Sequence, residues 1–344
     1  MCYTNKSVLK CSTGDILAAD VYSTNGKSLV LAKEAVLNEY MMERLLDMGI
    51  NTVRIYKGEE ECSAEHKEFQ QKYRNIASLT RKIFQDMVSV RTMDYDRLSY
   101  VAEQILGSVQ EDCSIINCIC EVRKKDEYTY YHSINVAFYS MLIAKWLKLS
   151  RDEIKKAVLS GLLHDIGKIM IPDTILNKKG RLTKEEFEIV KSHPVHGYEI
   201  ADGIDLLDRD IKNAILHHHE RMDGSGYPFR YSAKNINLYS RIVAVADVFD
   251  AMTSERIYKG KNTPFEVFHM FLAEGAVMFD IRILNVFMKN MANYLTGSRV
   301  QLSSGETGDI VYIPYQCLVF PIVKAANRYI DLSKDSDIKI IKML

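Results

Sequence analysis

The sequence predicts a mainly helical protein with smaller β-containing pieces at both ends. Three observations carry this. Apolar residues recur every three or four positions through Phe69, Tyr73, Ile76, Ala77, Thr80, Ile83, Phe84 and Met87, the spacing of one helix face. Between Tyr128 and Asn293 helix starts follow one another. Ser150 with Glu153 and Thr183 with Glu186 fit a reciprocal capping box, and Thr263-Pro264 with Glu266 adds proline at the first helical position. Short β-rich runs separated by turn residues occupy the two ends.

Residues 1–58 read as a small α+β domain. Its β-rich runs are 8–9, 16–22, 28–31 and 52–56, with turns at Gly14, Asn25-Gly26 and Gly49. Asn-Gly between apolar runs signals a hairpin. Met41, Leu45 and Met48 put a helix over residues 40–48. Residues 59–125 read as a helical connector whose amphipathic helices pack on their own chain or, across 65–125, form a homodimer surface. Residues 126–296 are the main helical domain. A β-rich segment, 297–344, follows, with runs at 300–302, 310–313, 319–323 and 329–332 and turns at Gly305 and Gly308.

Composition narrows the classes of function. The 344 residues carry 45 basic and 45 acidic side chains, so no overall positive field draws a nucleic-acid polymer or an anionic membrane. Seven cysteines, at 2, 11, 62, 113, 118, 120 and 317, include no Cys-x-x-Cys pair. An odd, scattered set disfavours a disulfide framework or a zinc ribbon and fits a reduced, cytoplasmic setting. Residues 1–10 lack the apolar core of a secretory signal, and no stretch approaches the roughly 20 apolar residues that span a bilayer.

The chemistry is concentrated in the middle of the chain. Seven of nine histidines lie between 132 and 219, and 217–219 are consecutive. His132 opens an apolar helix, and His164-Asp165 ends another after Val158, Leu159, Leu162 and Leu163, which directs polar groups toward a common interior. Buried ionisable groups need partners, and a metal is one. In an adjacent His-Asp pair the carboxylate can bridge two hard cations while imidazoles take outer positions. Lys168, one turn beyond Asp165, is a cation suited to stabilising or protonating a departing alkoxide. Gly224 and Gly226 allow close backbone approach to a ligand, and Pro228 stiffens the exit from that loop.

The ordered series is His132; His164-Asp165-Ile166-Gly167-Lys168; His193-Pro194-Val195-His196-Gly197; His218-His219-Glu220; Asp223-Gly224-Ser225-Gly226-Tyr227-Pro228; and Asp247-Val248-Phe249-Asp250-Ala251-Met252 with Arg256. Over residues 126–295 it resembles the HD-GYP family of phosphodiesterases that hydrolyse cyclic di-GMP. The resemblance implies an HD-type helical bundle and metal ligation by His132, His164, Asp165, His193, His218, His219 and Asp247, with Asp165 bridging. It also implies catalysis by Asp165 and Lys168 through a metal-bridging hydroxide. Substrate contacts would come from Gly226 and from Tyr227 beside a guanine or phosphate. Arg256 and Lys259, two and three helical turns beyond Asp247, would hold the phosphates.

Family members with a third metal carry a glutamate four residues before the first ligand histidine, where this chain has Tyr128. Glu127 would point about 100° away on a helix. The resemblance therefore implies two divalent ions, iron or manganese, and cleavage to linear pGpG, with further hydrolysis to GMP as the alternative end point. Asp126 and Asp250 are candidates for orienting ligands; His217 reads as a residue behind the ligands or a packed one, and His196 as packed or solvent-facing. The competing readings are a cyclic GMP-AMP phosphodiesterase and a non-catalytic cyclic di-GMP receptor.

Overall fold

The computed structural model describes residues 3–23, 28–56, 59–90, 94–108, 128–178, 180–254, 262–314, 317–326, 328–335 and 337–344. These form two compact units. One holds the described residues up to Phe69 together with Met288–Leu344, and the other the described residues from Gln70 to Phe287.

In the first unit β1 (Tyr3–Ser7) pairs antiparallel with β4 (Thr52–Tyr56), and β2 (Val21–Tyr22) with β3 (Leu29–Leu31). Helix α1 (Glu39–Asp47) begins at Asn38, whose side chain accepts from the Met41 N–H, and buries Leu45 against Val8, Leu17, Leu37, Val53 and Ile55. The run expected at 16–22 is a strand only at its end. Ile16 and Leu17 make single bridges to Val36 and Ile55, and Val8–Lys10 is a 3-10 turn. The Asn25-Gly26 turn lies outside the described residues, but the strands on either side of it pair. Strands β5 (Arg299–Leu302), β6 (Thr307–Tyr312), β7 (Ile322–Ala325), β8 (Arg328–Asp331) and β9 (Ile340–Met343) form an antiparallel sheet in the order β8-β7-β6-β5-β9.

The second unit is a helical bundle. Helices α2 (Glu59–Val90, within this unit from Gln70) and α3 (Tyr95–Gly107) lead to α4 (Tyr128–Trp146) and α5 (Arg151–Leu163). The succeeding helices are α6 (Asp173–Leu176), α7 (Lys184–Val190), α8 (His193–Asp202), α9 (Arg209–His217), α10 (Leu238–Thr253), α11 (Pro264–Ala273), α12 (Gly275–Met278) and α13 (Ile281–Leu295, within this unit to Phe287). All three capping signals read from the sequence are present, at the starts of α5, α7 and α11.

Helix α4 is apolar all round, which suits a helix buried on every side. Ile134, Val136, Ala137, Phe138, Met141, Leu142, Ile143 and Ala144 are all fully buried, and α5 and α10 pack against this helix. Truncating a residue such as Phe138 to alanine costs about 3–5 kcal/mol. The apolar stripe of α2 is buried as well, with Tyr73 stacked on Tyr131 and Phe138 and Phe84 set against Tyr130. Among the described residues no helix is long and apolar enough to cross a membrane. Cys11 and Cys317 are free thiols.

Candidate metal centre

Three histidines reach the same point by the same local device. His164 follows the last turn of α5, His193 follows α7, and His218 follows α9. Helix ends leave carbonyls without intrahelical partners. The Nδ1–H of each histidine donates to such a carbonyl three residues back: His164 to Gly161 at 2.8 Å, His193 to Val190 at 2.7 Å and His218 to Ile215 at 2.7 Å. This fixes the tautomer and leaves each Nε2 lone pair aimed into the cluster.

Glycine sets the approach of these elements. A Cβ on Gly167 would lie 1.9 Å from the His193 carbonyl oxygen and 2.4 Å from the Gly197 nitrogen. Only glycine lets the 3-10 turn Ile166–Met170 touch the backbone of α8, and that contact carries His193 to Asp165.

Asp165 stands at the centre. Its Oδ1 lies 3.3 Å from His193 Nε2 and 4.0 Å from His218 Nε2. Its Oδ2 lies 3.3 Å from His164 Nε2 and 3.7 Å from His132 Nε2, and Lys168 Nζ donates to it. Asp247 spans the two sides, 3.0 Å from His132 Nε2 through Oδ1 and 3.9 Å from His219 Nδ1 through Oδ2. Two donor groups result, Asp165 with His193, His218 and His219, and Asp165 with His132 and His164, and within each the ligand atoms lie within 4.8 Å of one another. The structure thus brings together all seven side chains expected from the sequence to be ligands.

The donor set fits a cation. His193 Nε2 and His218 Nε2 face each other at 3.2 Å, both as acceptors because their Nδ1 protons are committed to carbonyls. Asp165 Oδ1 and His164 Nε2 are buried without a hydrogen-bond partner. Buried acceptors crowded against acceptors are unfavourable unless positive charge lies among them.

Electrostatics agrees. Burial alone would raise the carboxyl pKa of Asp165, but positive charge beside it, of which Lys168 Nζ is the permanent source, holds it well below the usual carboxylate range. Asp247 is likewise held low against its burial, chiefly by His132. Burial drives His218 and His219 well below the ordinary imidazole value, keeping them neutral as ligation requires. His132 differs: burial opposes its charge, but hydrogen bonds to Asp247 and Asp250 outweigh that and raise its pKa, so a cation at Nε2 would have to displace a proton there.

The Gly-Tyr-Pro loop borders the cluster. Tyr227 stacks on His219, centroids 4.5 Å apart and planes 26° from parallel, and burial raises the pKa of its phenol. A Cβ on Gly226 would meet Arg221 N, Glu220 Cα and His219 O, each at 2.5 Å, so the loop lies directly on the segment that carries His219. Glu220, not assigned a role from the sequence, anchors it: the Phe229 and Tyr231 amides donate to Oε1 and Oε2 at 2.7 and 2.9 Å. His217 is buried against Phe229 and Tyr231, and His196 pairs with Glu199 away from the cluster.

Arg256 and Lys259 lie outside the described residues, as do Asp126 and Glu127. The helix expected to extend to Arg256 and Lys259 stops earlier. Helix α10 ends at Thr253, with Ser254 in extended backbone.

A family model described as HD domain matches residues 103–283. The chain belongs to the HD domain family. Within it, His164-Asp165 and the Gly226-Tyr227-Pro228 loop mark an HD-GYP protein. This HD-domain chain is 37% identical over 243 residues to the cyclic di-GMP phosphodiesterase PA4108 of Pseudomonas aeruginosa, covering 70% of this chain and 58% of that one. It is 36% identical over 197 residues to the 3'3'-cGAMP-specific phosphodiesterase 1 of Vibrio cholerae, covering 56% and 44%. The chain thus spans about half the length of these relatives. In fold it is similar to Bd1817, an HDG"Y"P protein from Bdellovibrio bacteriovorus, with a TM-score of 0.52 at 16% identity over 83% of this chain and 98% of that one.

Proposed function

We propose that the chain hydrolyses cyclic di-GMP to linear pGpG at a centre of two divalent ions, iron or manganese, in the cytoplasm. The observation that carries this reading is the division of the cluster at Asp165, whose two carboxylate oxygens face separate sets of imidazoles. His132 and His164 would hold one ion, His193, His218 and His219 the other, with Asp165 shared and Asp247 between them. The names of the relatives support the choice of substrate class.

Divalent ions in such a site supply Lewis-acid polarisation of a phosphoryl oxygen and activation of water. The residues do the rest. Lys168, paired with Asp165 and partly open to solvent, would deliver a proton to the departing 3′ oxygen. Tyr227, a neutral phenol on a loop fixed by Glu220, lines the approach beside His219. Gly226 keeps that loop close to the cluster, and Arg256 and Lys259 would hold the phosphates. Tyr128, in place of a third-ion glutamate, supports arrest at pGpG.

The test is incubation of anaerobically purified, manganese- or iron-loaded protein with cyclic di-GMP and, separately, 3'3'-cGAMP, with products separated by chromatography. Accumulation of pGpG, with faster turnover of cyclic di-GMP, is expected. Preference for cGAMP would reassign the substrate, and tight binding without turnover would make the chain a receptor.

A further inference from the structure

We infer that Tyr73, on α2, is a positioning residue for His132, acting through a buried hydrogen-bond relay in which Asn135 passes on the orientation. The inference rests on reading the cluster as a metal centre. His132 can ligate through Nε2 only while Nδ1 carries the proton, and that proton is donated to Asp250 Oδ2 at 2.8 Å. Ser254 Oγ donates to the same oxygen at 3.2 Å, and Asn135 Nδ2 donates to Asp250 Oδ1 at 3.0 Å. The Tyr73 hydroxyl donates to Asn135 Oδ1 at 2.6 Å. Asp250 is 0% exposed and Tyr73 and Asn135 are each 1% exposed, so bulk water does not compete for these bonds.

The polarity of the relay gives Tyr73 its influence. An asparagine amide presents NH2 on one side and oxygen on the other, and turning it over exchanges them. A hydroxyl donating to Oδ1 favours the orientation in which NH2 faces Asp250. Once the hydroxyl is removed, Asp250 alone selects that orientation, and Asn135 Oδ1 is left unpaired in a low-dielectric interior, where an unpaired polar group is costly and the amide shifts to relieve it. Its bond to Asp250 then lengthens, and the hold of Asp250 on His132 Nδ1 loosens. Tyr73 also stacks on Tyr131 and Phe138 at 6.0 and 5.9 Å, so Tyr73→Phe removes one hydroxyl while keeping the ring packing.

The experiment is a Co2+ titration of the metal-stripped full chain, followed by visible absorption and by competition with a chelator of known affinity. Outer partners of ligating histidines typically change metal affinity by about 10–100-fold. Tyr73→Phe is expected to weaken Co2+ binding by about 10-fold and to shift the absorption bands, and Asn135→Leu to do at least as much. Adding Tyr73→Phe to Asn135→Leu should then produce no further loss, because coupled members of one network are not additive. A merely structural Tyr73 would lower the melting temperature while leaving Co2+ affinity and absorption unchanged. That result, or additive losses, overturns the inference. If Asn135→Leu does not fold, the Tyr73→Phe titration decides alone. No substrate is used, so Tyr73-dependent Co2+ binding in a protein that hydrolyses no cyclic dinucleotide upholds the relay while the proposed function fails. An unsubstituted chain that binds no Co2+ overturns both.

Discussion

Glu220→Gln tests whether a single carboxylate fixes the loop that carries Tyr227. Glu220 is 2% exposed, and its two oxygens accept separately from the Phe229 and Tyr231 amides. Glutamine has the same shape but only one oxygen, so its NH2 group must face one of those N–H donors. Hydrogen bonds to a charged group are worth about 1.5–3 kcal/mol, and exchanging one for a donor–donor contact costs about 3 kcal/mol. At about 1.4 kcal/mol per tenfold, the closed loop is disfavoured by roughly a hundredfold. Hydrogen–deuterium exchange over residues 225–233 should therefore lose about two decades of protection, while peptides from α4 and α5 keep theirs. Under the proposed function KM for cyclic di-GMP rises more than kcat falls. Unchanged protection across 225–233 would refute the reasoning.

Three further outcomes are expected. Gly226→Ala places a Cβ 2.5 Å from three backbone atoms of 219–221, and such overpacking costs about 1–3 kcal/mol; a wild-type thermal melt would contradict the contact. Asp280, buried between Arg241 and Arg282, has its pKa lowered from 3.8 to about 2: burial opposes ionisation, but hydrogen bonds from Arg282 and Arg241 prevail. Its contribution, about 2 kcal/mol, is present above pH 4 and lost as pH falls through 2; Asp280→Asn should thus be less stable than wild type at pH 7 and nearly equal to it at pH 2, and an equal deficit at both pH values argues against the linkage. Chelation should lower the melting temperature, and Mn2+ at about 100 times its Kd should restore about 2.7 kcal/mol in the wild type but not in Asp165→Ala; identical melts with and without metal would count against the site.

The clustering of these seven side chains was legible because they are chemically distinctive and fall in one ordered series of motifs. His164, His193 and His218 each follow a helix, where a free carbonyl three residues back can orient the ring. Tyr73 and Asn135 were not legible. They lie 62 residues apart, and in a helical stripe they read as ordinary packing. Glu220 stands in the motif series, but its role was not legible because its partners are backbone amides, which have no residue identity. At the chain ends, β1 is the polar run Tyr3-Thr4-Asn5-Lys6-Ser7, whose strand state depends on pairing with β4 rather than on propensity. Local periodicity likewise cannot reveal that residues up to Phe69 share a compact unit with Met288–Leu344. It also overextended α10 past Thr253, because the helical spacing of charged residues persists where the backbone turns extended at Ser254.

The most direct test of the central claim is metal stoichiometry with turnover, measured side by side on the wild type and Asp165→Ala. If both donor groups share that carboxylate, the wild type holds two ions per chain and converts cyclic di-GMP to pGpG, and the single substitution removes both the paired occupancy and the turnover. Full metal-dependent turnover in Asp165→Ala would contradict the account.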